Sequence, residues 1–135
     1  MTEAVLDASV ILKWFRATGE HGVGAARALR AEFEAGRAVV FAPPLLFLEI
    51  LNIAGRRWRL PPPQLHHLAS RLPDLGFQLV EPDLLFLARW VSAGLTAYDA
   101  AYLAVAEQLG TRLITDDRPI LDVAPHLTRP LVDHA

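Results

Sequence analysis

The sequence predicts an α/β fold, a three-layer α/β/α sandwich with a central parallel sheet. Short β-branched apolar runs alternate with helix-length segments along the chain. Parallel strands need long crossover connections, which helices usually supply, so this alternation favours a parallel sheet covered by helices on both faces. The predicted strands are "AVL" before Asp7, "AVVFA" at 38–42, "FQLV" at 77–80 and "RLIT" at 112–115.

The predicted helices show apolar residues at helical spacing, with proline and glycine at their ends. Pro43 and Pro44 suit a helix start, and the "PPP" that follows Leu60 stops that helix. The segment "TAYDAAYLAVAEQLG" is the clearest helix and closes at Gly110. The helical ranges are 9–15, 22–35, 43–59, 62–72, 82–93 and 96–110.

Length and composition indicate one folded unit. A chain of 135 residues with 53% hydrophobic and 21% charged residues can bury a single core, so residues 1–135 are predicted to form one domain. The absence of cysteine excludes disulfides and thiolate metal sites. The sequence shows neither a cleavable leader nor a run of about 20 apolar residues, so we expect a soluble, cytoplasmic protein without membrane association.

The overall charge does not favour nucleic acid. The formal net charge is −2, whereas proteins that bind nucleic acid usually present a basic face, so any such binding depends on a local site. The segment "RRWR" is one candidate, because its arginines can hold phosphate beside an indole that stacks on bases. The same arginines could instead complement the dipole at a helix C-terminus. They are Arg56, Arg57 and Arg59.

Several acidic residues fall at one edge of the predicted sheet. Asp7 ends the first strand, Asp116 and Asp117 follow "RLIT", and Asp99 lies in the first turn of the last predicted helix. Glu49 interrupts an otherwise apolar helix near its start, and helical side chains tilt toward the N-terminus. Ligands of open parallel sheets bind beyond the carboxyl ends of the strands, so this pattern predicts a functional site there.

Each acidic residue also has a purely structural interpretation. Asp7 could cap a helix, Asp99 could complete a capping box with Thr96, and "TDDR" could be a polar turn that caps a short helix. Glu49 could lie on a solvated face with Asn52. However, a carboxylate desolvated without partners costs several kcal/mol, and such groups are normally paired, protonated or bound to metal.

The convergence of four carboxylate positions favours a metal site. Close carboxylates repel one another, and a hard divalent cation can hold them ionised side by side. Oxygen ligands without a histidine cluster favour Mg²⁺ or Mn²⁺ over zinc. Such ions align and acidify a water for attack on a phosphodiester. The residues therefore predict phosphoryl transfer, with Glu49 either a direct ligand or an outer base that orients the water.

Four segments, in this order, resemble the PIN-domain nucleases: "VLDASVILKWF", "LLFLEILN", "TAYDAAYLAVAEQLG" and "LITDDRPIL". The chain length and the "LDASV" opening are similar to those of the VapC toxins of prokaryotic type II toxin–antitoxin pairs. The resemblance spans nearly the whole chain. It implies an α/β/α sandwich, a Mg²⁺- or Mn²⁺-dependent endoribonuclease that hydrolyses RNA phosphodiester bonds, a homodimer, and neutralisation by a small DNA-binding antitoxin.

The resemblance also implies roles for particular residues. It assigns four acidic residues to catalysis and metal binding and places two hydroxyl groups near the metal. The acidic residues are Asp7, Glu49, Asp99 and Asp117, and the hydroxyl groups belong to Ser9 and Thr115. The family pattern of threonine, any residue and aspartate selects Asp117, although the adjacent Asp116 could share or take over its role.

Two other classes stay open on the residues alone. One is an acidic metal-binding module without catalysis, and the other is a phosphoacceptor signalling domain. The latter needs an aspartate at the end of a middle strand and a late lysine, whereas "VVFAPP" carries no acid and the only lysine is Lys13. Among the remaining features, His66 and His67 are predicted on a solvated helix face. The residues predicted in the core or a subunit interface are Trp14, Phe15, Leu45, Phe47 and Trp90.

Overall fold

The computed structural model describes residues 1–16 and 22–131, in which one or two α-helices join each strand to the next. A π-helical turn, Ile53–Arg57, continues α3 (Leu45–Asn52), and a 3₁₀ turn, Leu72–Asp74, follows α4 (Pro62–Arg71). The elements are β1 (Thr2–Leu6), α1 (Ala8–Phe15), α2 (Val23–Glu34), β2 (Ala38–Ala42), α3 (Leu45–Asn52), α4 (Pro62–Arg71), β3 (Gln78–Leu79), α5 (Leu84–Ser92), α6 (Ala97–Leu109), β4 (Leu113–Thr115), α7 (Arg118–Val123) and β5 (Thr128–Pro130).

The strands in the described ranges form one five-stranded parallel sheet in the order β3-β2-β1-β4-β5. The first strand of the chain is therefore central. It pairs with β4 in a register that sets Leu6 beside Ile114. The residues that follow these two, Asp7 and Thr115, consequently meet at the carboxyl edge of the sheet.

Helices cover both faces of the sheet, which confirms the predicted three-layer architecture. Helix α6 packs against β1, β2 and β4 and is covered by α5, whereas α1 packs against α2 and α3. Every residue of α6 from Ala100 to Ala106 is buried, as expected of a helix that is apolar on all sides. Among the described helices, none is long and apolar enough to cross a membrane.

The C-terminal part of the fold contains elements that the apolar pattern did not predict. Helix α7 begins at Arg118 after Asp117, so "TDDR" does cap a short helix. Strand β5 pairs in parallel with β4 but is short and contains Pro130, which explains why it gives no strand signal. Strand β3 is shorter than predicted, and its two residues lie exposed at the opposite edge of the sheet.

Helix α5 begins later than the predicted start at Pro82. The side chain of Asp83 caps the helix by accepting hydrogen bonds from the backbone N–H groups of Leu85 and Phe86. The first helical residue is therefore Leu84. An aspartate in this position satisfies N–H groups that would otherwise lack helical partners, so the capping residue rather than the proline sets the boundary.

The helix predicted over 43–59 changes its hydrogen bonding part of the way along. In the π turn, the N–H of Trp58 donates to the carbonyl of Ile53 at 3.0 Å. Arg59 then adopts a left-handed conformation with φ of 53°. The N–H of Leu60 donates back to the carbonyl of Ala54 at 3.1 Å, which closes the helix before the prolines.

The aromatic and histidine predictions have mixed outcomes. Trp14 is buried in the core, and its ring contacts those of Phe33 and Phe77 at centroid distances of 5.6 and 6.1 Å. By contrast, Phe15 is exposed. The other predicted residues pack, partly buried, against the core: Leu45, Phe47 and Trp90. The neighbouring His66 and His67 lie exposed on α4, which confirms the predicted solvated face.

Candidate active site at the carboxyl edge of the sheet

Asp7 is a buried carboxylate at the end of the central strand. It caps α1, and its Oδ1 accepts hydrogen bonds from the Ser9 hydroxyl at 2.6 Å and from the Val10 N–H at 3.3 Å. Its Oδ2 accepts a hydrogen bond from the hydroxyl of Thr115. The capping interpretation is therefore confirmed, and the same carboxylate is also held toward the neighbouring strand.

Thr115 connects Asp7 to Asp117. It is fully buried at the end of β4, and while its hydroxyl donates to Asp7 its Oγ1 accepts from the backbone N–H of Asp117 at 3.0 Å. The side chain of Asp117 caps α7 by accepting from the Ile120 N–H at 3.2 Å. One buried hydroxyl thus links two of the predicted acidic residues.

Asp116 and Asp117 have different surroundings. The Oδ2 of Asp116 lies 3.6 Å from the Nζ of Lys13, whose side chain is buried on α1. By contrast, the charge of Asp117 acts on both Asp7 and Asp99. The electrostatics therefore group Asp117 with the other predicted acids and group Asp116 with a lysine.

Glu49 and Asp99 reach the site from α3 and α6. The hydroxyl of Tyr102, a nearly fully buried residue on α6, donates to Oε1 of Glu49. Asp99 lies one turn before Tyr102 on the same helix, and its backbone N–H donates to the Thr96 hydroxyl at 3.1 Å. Helix α6 therefore supplies one carboxylate and positions another.

The Asp7 carboxyl has a raised pKa. Burial is the largest cause, because the charged form loses its hydration. Hydrogen bonds from Ser9, Thr115 and the backbone N–H of Val10 favour the charged form and oppose this effect, while the charge of Asp117 adds to it. In the protein alone, the proton on Asp7 is consequently held more tightly than on a free aspartate.

The pKa values of Glu49 and Asp99 are raised as well. For Glu49 the causes are burial first and then the charges of Asp7 and Asp99, with the hydrogen bond from Tyr102 acting in the opposite direction. For Asp99 the causes are burial and the charge of Asp117, opposed by Thr96. Nearby carboxylate charges thus disfavour the ionisation of Asp7, Glu49 and Asp99.

The donor set fits a hard divalent cation in its chemistry. All four predicted ligands are carboxylates, and an added positive charge would relieve both their burial and their repulsion. Their present side-chain positions do not form a ready site: in residues 1–16 and 22–131, no three acidic or histidine side chains are grouped so that they could hold an ion. Instead, the hydroxyl groups of Ser9 and Thr115 donate hydrogen bonds to Asp7, and that of Tyr102 donates to Glu49.

The arginines of "RRWR" take separate positions. Arg57 faces a cavity between α1 and the continuation of α3, beside Glu49. Arg56 and Arg59 are exposed, and neither lines that cavity. Their role as phosphate ligands stays a prediction.

Two residues that contact the acids were missed by the sequence reasoning. Tyr102 donates to Glu49, and Lys13 lies beside Asp116. Tyr102 had a readable signal, because it stands three residues after Asp99 and so shares its helix face. Lys13 had no such signal, because Asp116, which it contacts, lies more than 100 positions later in the chain.

The fold and this edge define a class: parallel α/β/α proteins with acidic residues beyond neighbouring strand ends. The family model described as "PIN domain" matches residues 4–125, and the chain belongs to the PIN-domain family. Both the resemblance stated from the sequence and the predicted fold class are thereby confirmed. The family match gives no support to the phosphoacceptor alternative.

Individual relatives match in part or at low identity. A stretch of 37 residues is 49% identical to "Ribonuclease VapC3" of Pyrobaculum aerophilum and covers 27% of this chain and 28% of that protein. The chain therefore spans less than a third of the length of the curated relative that it matches. The crystal structure of PAE2754 from the same organism has a TM-score of 0.68 at 24% identity, covering 98% of this chain and 91% of the other.

Two further solved structures share the fold. FitAcB from Neisseria gonorrhoeae has a TM-score of 0.69 at 20% identity, covering 96% of this chain and 98% of that one. FitAB bound to an IR36 DNA fragment has a TM-score of 0.66 at 20% identity, covering 95% and 94%. At these identities the structures show a shared fold. The likeness to VapC proteins rests on the local sequence match.

Proposed function

We propose that the chain is a single-domain, Mg²⁺- or Mn²⁺-dependent endoribonuclease, acting in the cytoplasm as the toxin of a type II toxin–antitoxin pair. The observation that carries this proposal is the gathering of acidic side chains at one edge of the sheet, where the charge of Asp117 acts on Asp7 and Asp99 and the charges of Asp7 and Asp99 act on Glu49. A membership in the PIN-domain family and a partial likeness to a VapC ribonuclease support it.

In this proposal Asp7, Asp99 and Asp117 would hold the divalent ion, which would neutralise charge and lower the pKa of the attacking water. Ser9 and Thr115 fix the orientation of Asp7 by hydrogen bonds. The Tyr102 hydroxyl fixes Oε1 of Glu49, and Oε2 of Glu49 takes the proton of the attacking water. Burial raises the pKa of Glu49, which makes its carboxylate a stronger base than that of a free glutamate.

Hydrolysis forms a bond between the water oxygen and phosphorus and breaks the bond from phosphorus to one ribose oxygen. The departing oxygen takes up a proton, and Glu49 returns its proton to solvent before the next turnover. The residues on the chain thus orient and deprotonate water, while the fold holds their oxygens beyond adjacent strand ends. The groups that act on the RNA phosphate all lie at this one edge of the sheet. A local positive charge can therefore attract the phosphate although the net charge of the chain is −2.

An RNA digestion series tests the proposed activity. The purified chain should cut single-stranded or looped RNA in Mg²⁺ or Mn²⁺, stop in excess chelator, and regain activity when the ion is restored. Growth arrest on expression, relieved by co-expression of a small DNA-binding protein encoded beside it, should accompany cleavage. Cleavage that continues undiminished in chelator would contradict the proposed mechanism.

The same proposal includes a homodimer. Apolar side chains on the first turn of α5, Leu84 and Leu85, are 77% and 79% exposed, and Leu48 on α3 is also exposed. Surfaces of this kind commonly mark a contact between subunits. Light scattering at tens of micromolar protein should give twice the mass of one chain, and Leu84→Glu with Leu85→Glu should reduce it to that of one chain. A wild-type monomer at this concentration would contradict the dimer.

A further inference from the structure

A cavity of about 300 Å³ opens between α1 and the continuation of α3, directly beside the acidic site. This volume lies at the lower end of the usual range for ligand pockets. We call this cavity the basic pocket, and its polar and aromatic lining is Ser9, Lys13, Arg16, Glu49, Arg57 and Trp58. The basic pocket is therefore lined by one predicted catalytic carboxylate, three cationic side chains and an indole ring.

One part of the basic pocket combines positive charge with a flat aromatic surface. The guanidinium of Arg16 lies 5.3 Å from the ring centroid of Trp58, within the range of a cation–π interaction. Trp58 is only partly buried, so its ring is accessible from the cavity that it lines. Aromatic rings beside arginine are the surfaces on which bases of single-stranded nucleic acids stack.

The π turn explains how Arg57 and Trp58 both reach the basic pocket. In a regular α-helix, residues four apart share a face, so Ile53 and Arg57 would align while Trp58 would turn away. The turn from Ile53 instead closes five residues later, at the N–H of Trp58. Because the wider turn contains more residues, Arg57 and Trp58 flank the helix face that carries Ile53. All three residues therefore line the cavity.

The basic pocket contains charges of both signs. Glu49 is its acidic residue, and Lys13, Arg16 and Arg57 are its basic ones. Lys13 donates to the Ser9 carbonyl at 3.4 Å and lies near Asp116. A ligand that presents a phosphate to the arginines and a flat ring to Trp58 would therefore occupy the cavity that Glu49 also lines.

We infer that the basic pocket binds one nucleotide of single-stranded RNA adjacent to the bond that is cut, with its base against Trp58 and its phosphate against Arg16 and Arg57. The inference rests on the proposed function for the identity of the ligand. An acidic peptide could satisfy the arginines but would leave the partly buried Trp58 ring without a stacking partner. The pocket would then select unpaired RNA, because a base in a duplex cannot stack on a side chain.

Binding measured without cleavage tests this inference separately from the activity. A fluorescein-labelled single-stranded RNA of mixed sequence is titrated with the full chain in excess chelator, and a gel verifies that the RNA stays intact. Trp58→Ala and Arg57→Gln should each raise Kd roughly tenfold. Arg57→Gln should also lower the slope of log Kd against log salt by about 0.7, the value for one lost phosphate contact on a single strand.

Two arginine variants serve as matched controls. Arg37 is exposed at the amino end of β2, at the opposite edge of the sheet, so Arg37→Gln should leave Kd unchanged. Arg56 adjoins Arg57 but does not line the cavity, so Arg56→Gln should cost less than Arg57→Gln. Equal losses for Arg56→Gln and Arg57→Gln would show a general charge effect and overturn the inference.

Tryptophan fluorescence reports the position of the base. RNA should quench the emission of the wild-type chain, and Trp58→Phe should keep most of the affinity, since phenylalanine still stacks, while losing that quenching. Full affinity in Trp58→Ala, or no binding by the wild type, would overturn the inference even if the chain cuts RNA. Pocket-dependent binding by a chain that cuts no RNA under any metal condition would contradict the proposed activity and leave the binding site standing.

Discussion

Asp99→Asn is expected to reduce metal-dependent RNA cleavage by at least about a thousandfold while the fold survives. The substitution removes one proposed ligand charge, and an ion that supplies roughly 4 kcal/mol of transition-state stabilisation accounts for a loss of this size. Asparagine keeps the shape of the side chain, and the backbone N–H of residue 99 still donates to Thr96. The measurement is the initial rate of RNA cleavage at saturating Mn²⁺, with circular dichroism to confirm the helical content.

Asp116→Asn is the matched control for this loss. It removes one carboxylate charge from the same edge, but from the residue that faces Lys13 rather than the other acids. We expect a much milder reduction than for Asp99→Asn or Asp117→Asn. Equal losses in the Asp116 and Asp117 variants would assign the role to both residues, and full activity in Asp99→Asn would contradict the proposed ligand set.

The stability of the metal-free protein is expected to fall as the pH rises from about 4 toward neutrality. The carboxyls of Asp7, Glu49 and Asp99 have pKa values above their ordinary values of 3.8, 4.5 and 3.8. The folded chain therefore binds more protons than the unfolded chain between the ordinary and the raised values. The resulting stabilisation is complete below the ordinary pKa values and is lost as the pH rises through the raised ones.

Urea denaturation in chelator across this pH range measures the effect. The Asp7→Asn, Asp99→Asn double variant should show a shallower decline, because two of the three groups no longer titrate. Mn²⁺ should restore stability mainly at the higher pH, by about 2.7 kcal/mol when its concentration is a hundredfold above Kd. A wild-type protein that becomes steadily more stable from pH 5 to pH 8 in chelator would contradict the assigned pKa shifts.

The central part of the fold could be predicted because its signals are local. Strands β1, β2 and β4 are buried apolar runs, and α6 is a long segment with clear ends at Thr96 and Gly110. Strand β3 lies within the predicted 77–80 but is confirmed only over Gln78–Leu79, whereas β5 gives no strand signal because its three residues include Pro130. The bounds of β3 and the existence of β5 depend on pairing with β2 and β4, which is a tertiary effect.

The site could be predicted as a set of acids but not as a set of contacts. A strand end and a helix start fix where Asp7, Asp99 and Asp117 fall, so sequence position was enough to bring them to one edge. The hydrogen bond from Tyr102 to Glu49 joins residues 53 positions apart. Such a contact follows from how α3 and α6 lie against the sheet, and no local pattern encodes it.

The basic pocket shows a further limit of sequence reasoning. The segment "RRWR" indicated phosphate binding, but a regular helix over 43–59 does not place Arg57 and Trp58 on the same side. The π turn does so, and it arises where a continuous helical pattern gives no warning. Arg16, which lies against Trp58, follows α1 and comes from a distant part of the sequence.

Calorimetric titration of Mn²⁺ into the chelator-treated chain detects the ion at the acidic site without any choice of RNA. We expect saturable binding to the wild type, release of protons at acidic pH from the carboxyls whose pKa values are raised, and loss of both signals in the Asp7→Asn, Asp99→Asn double variant. Binding of unchanged affinity and stoichiometry in a folded double variant would contradict the proposed metal site.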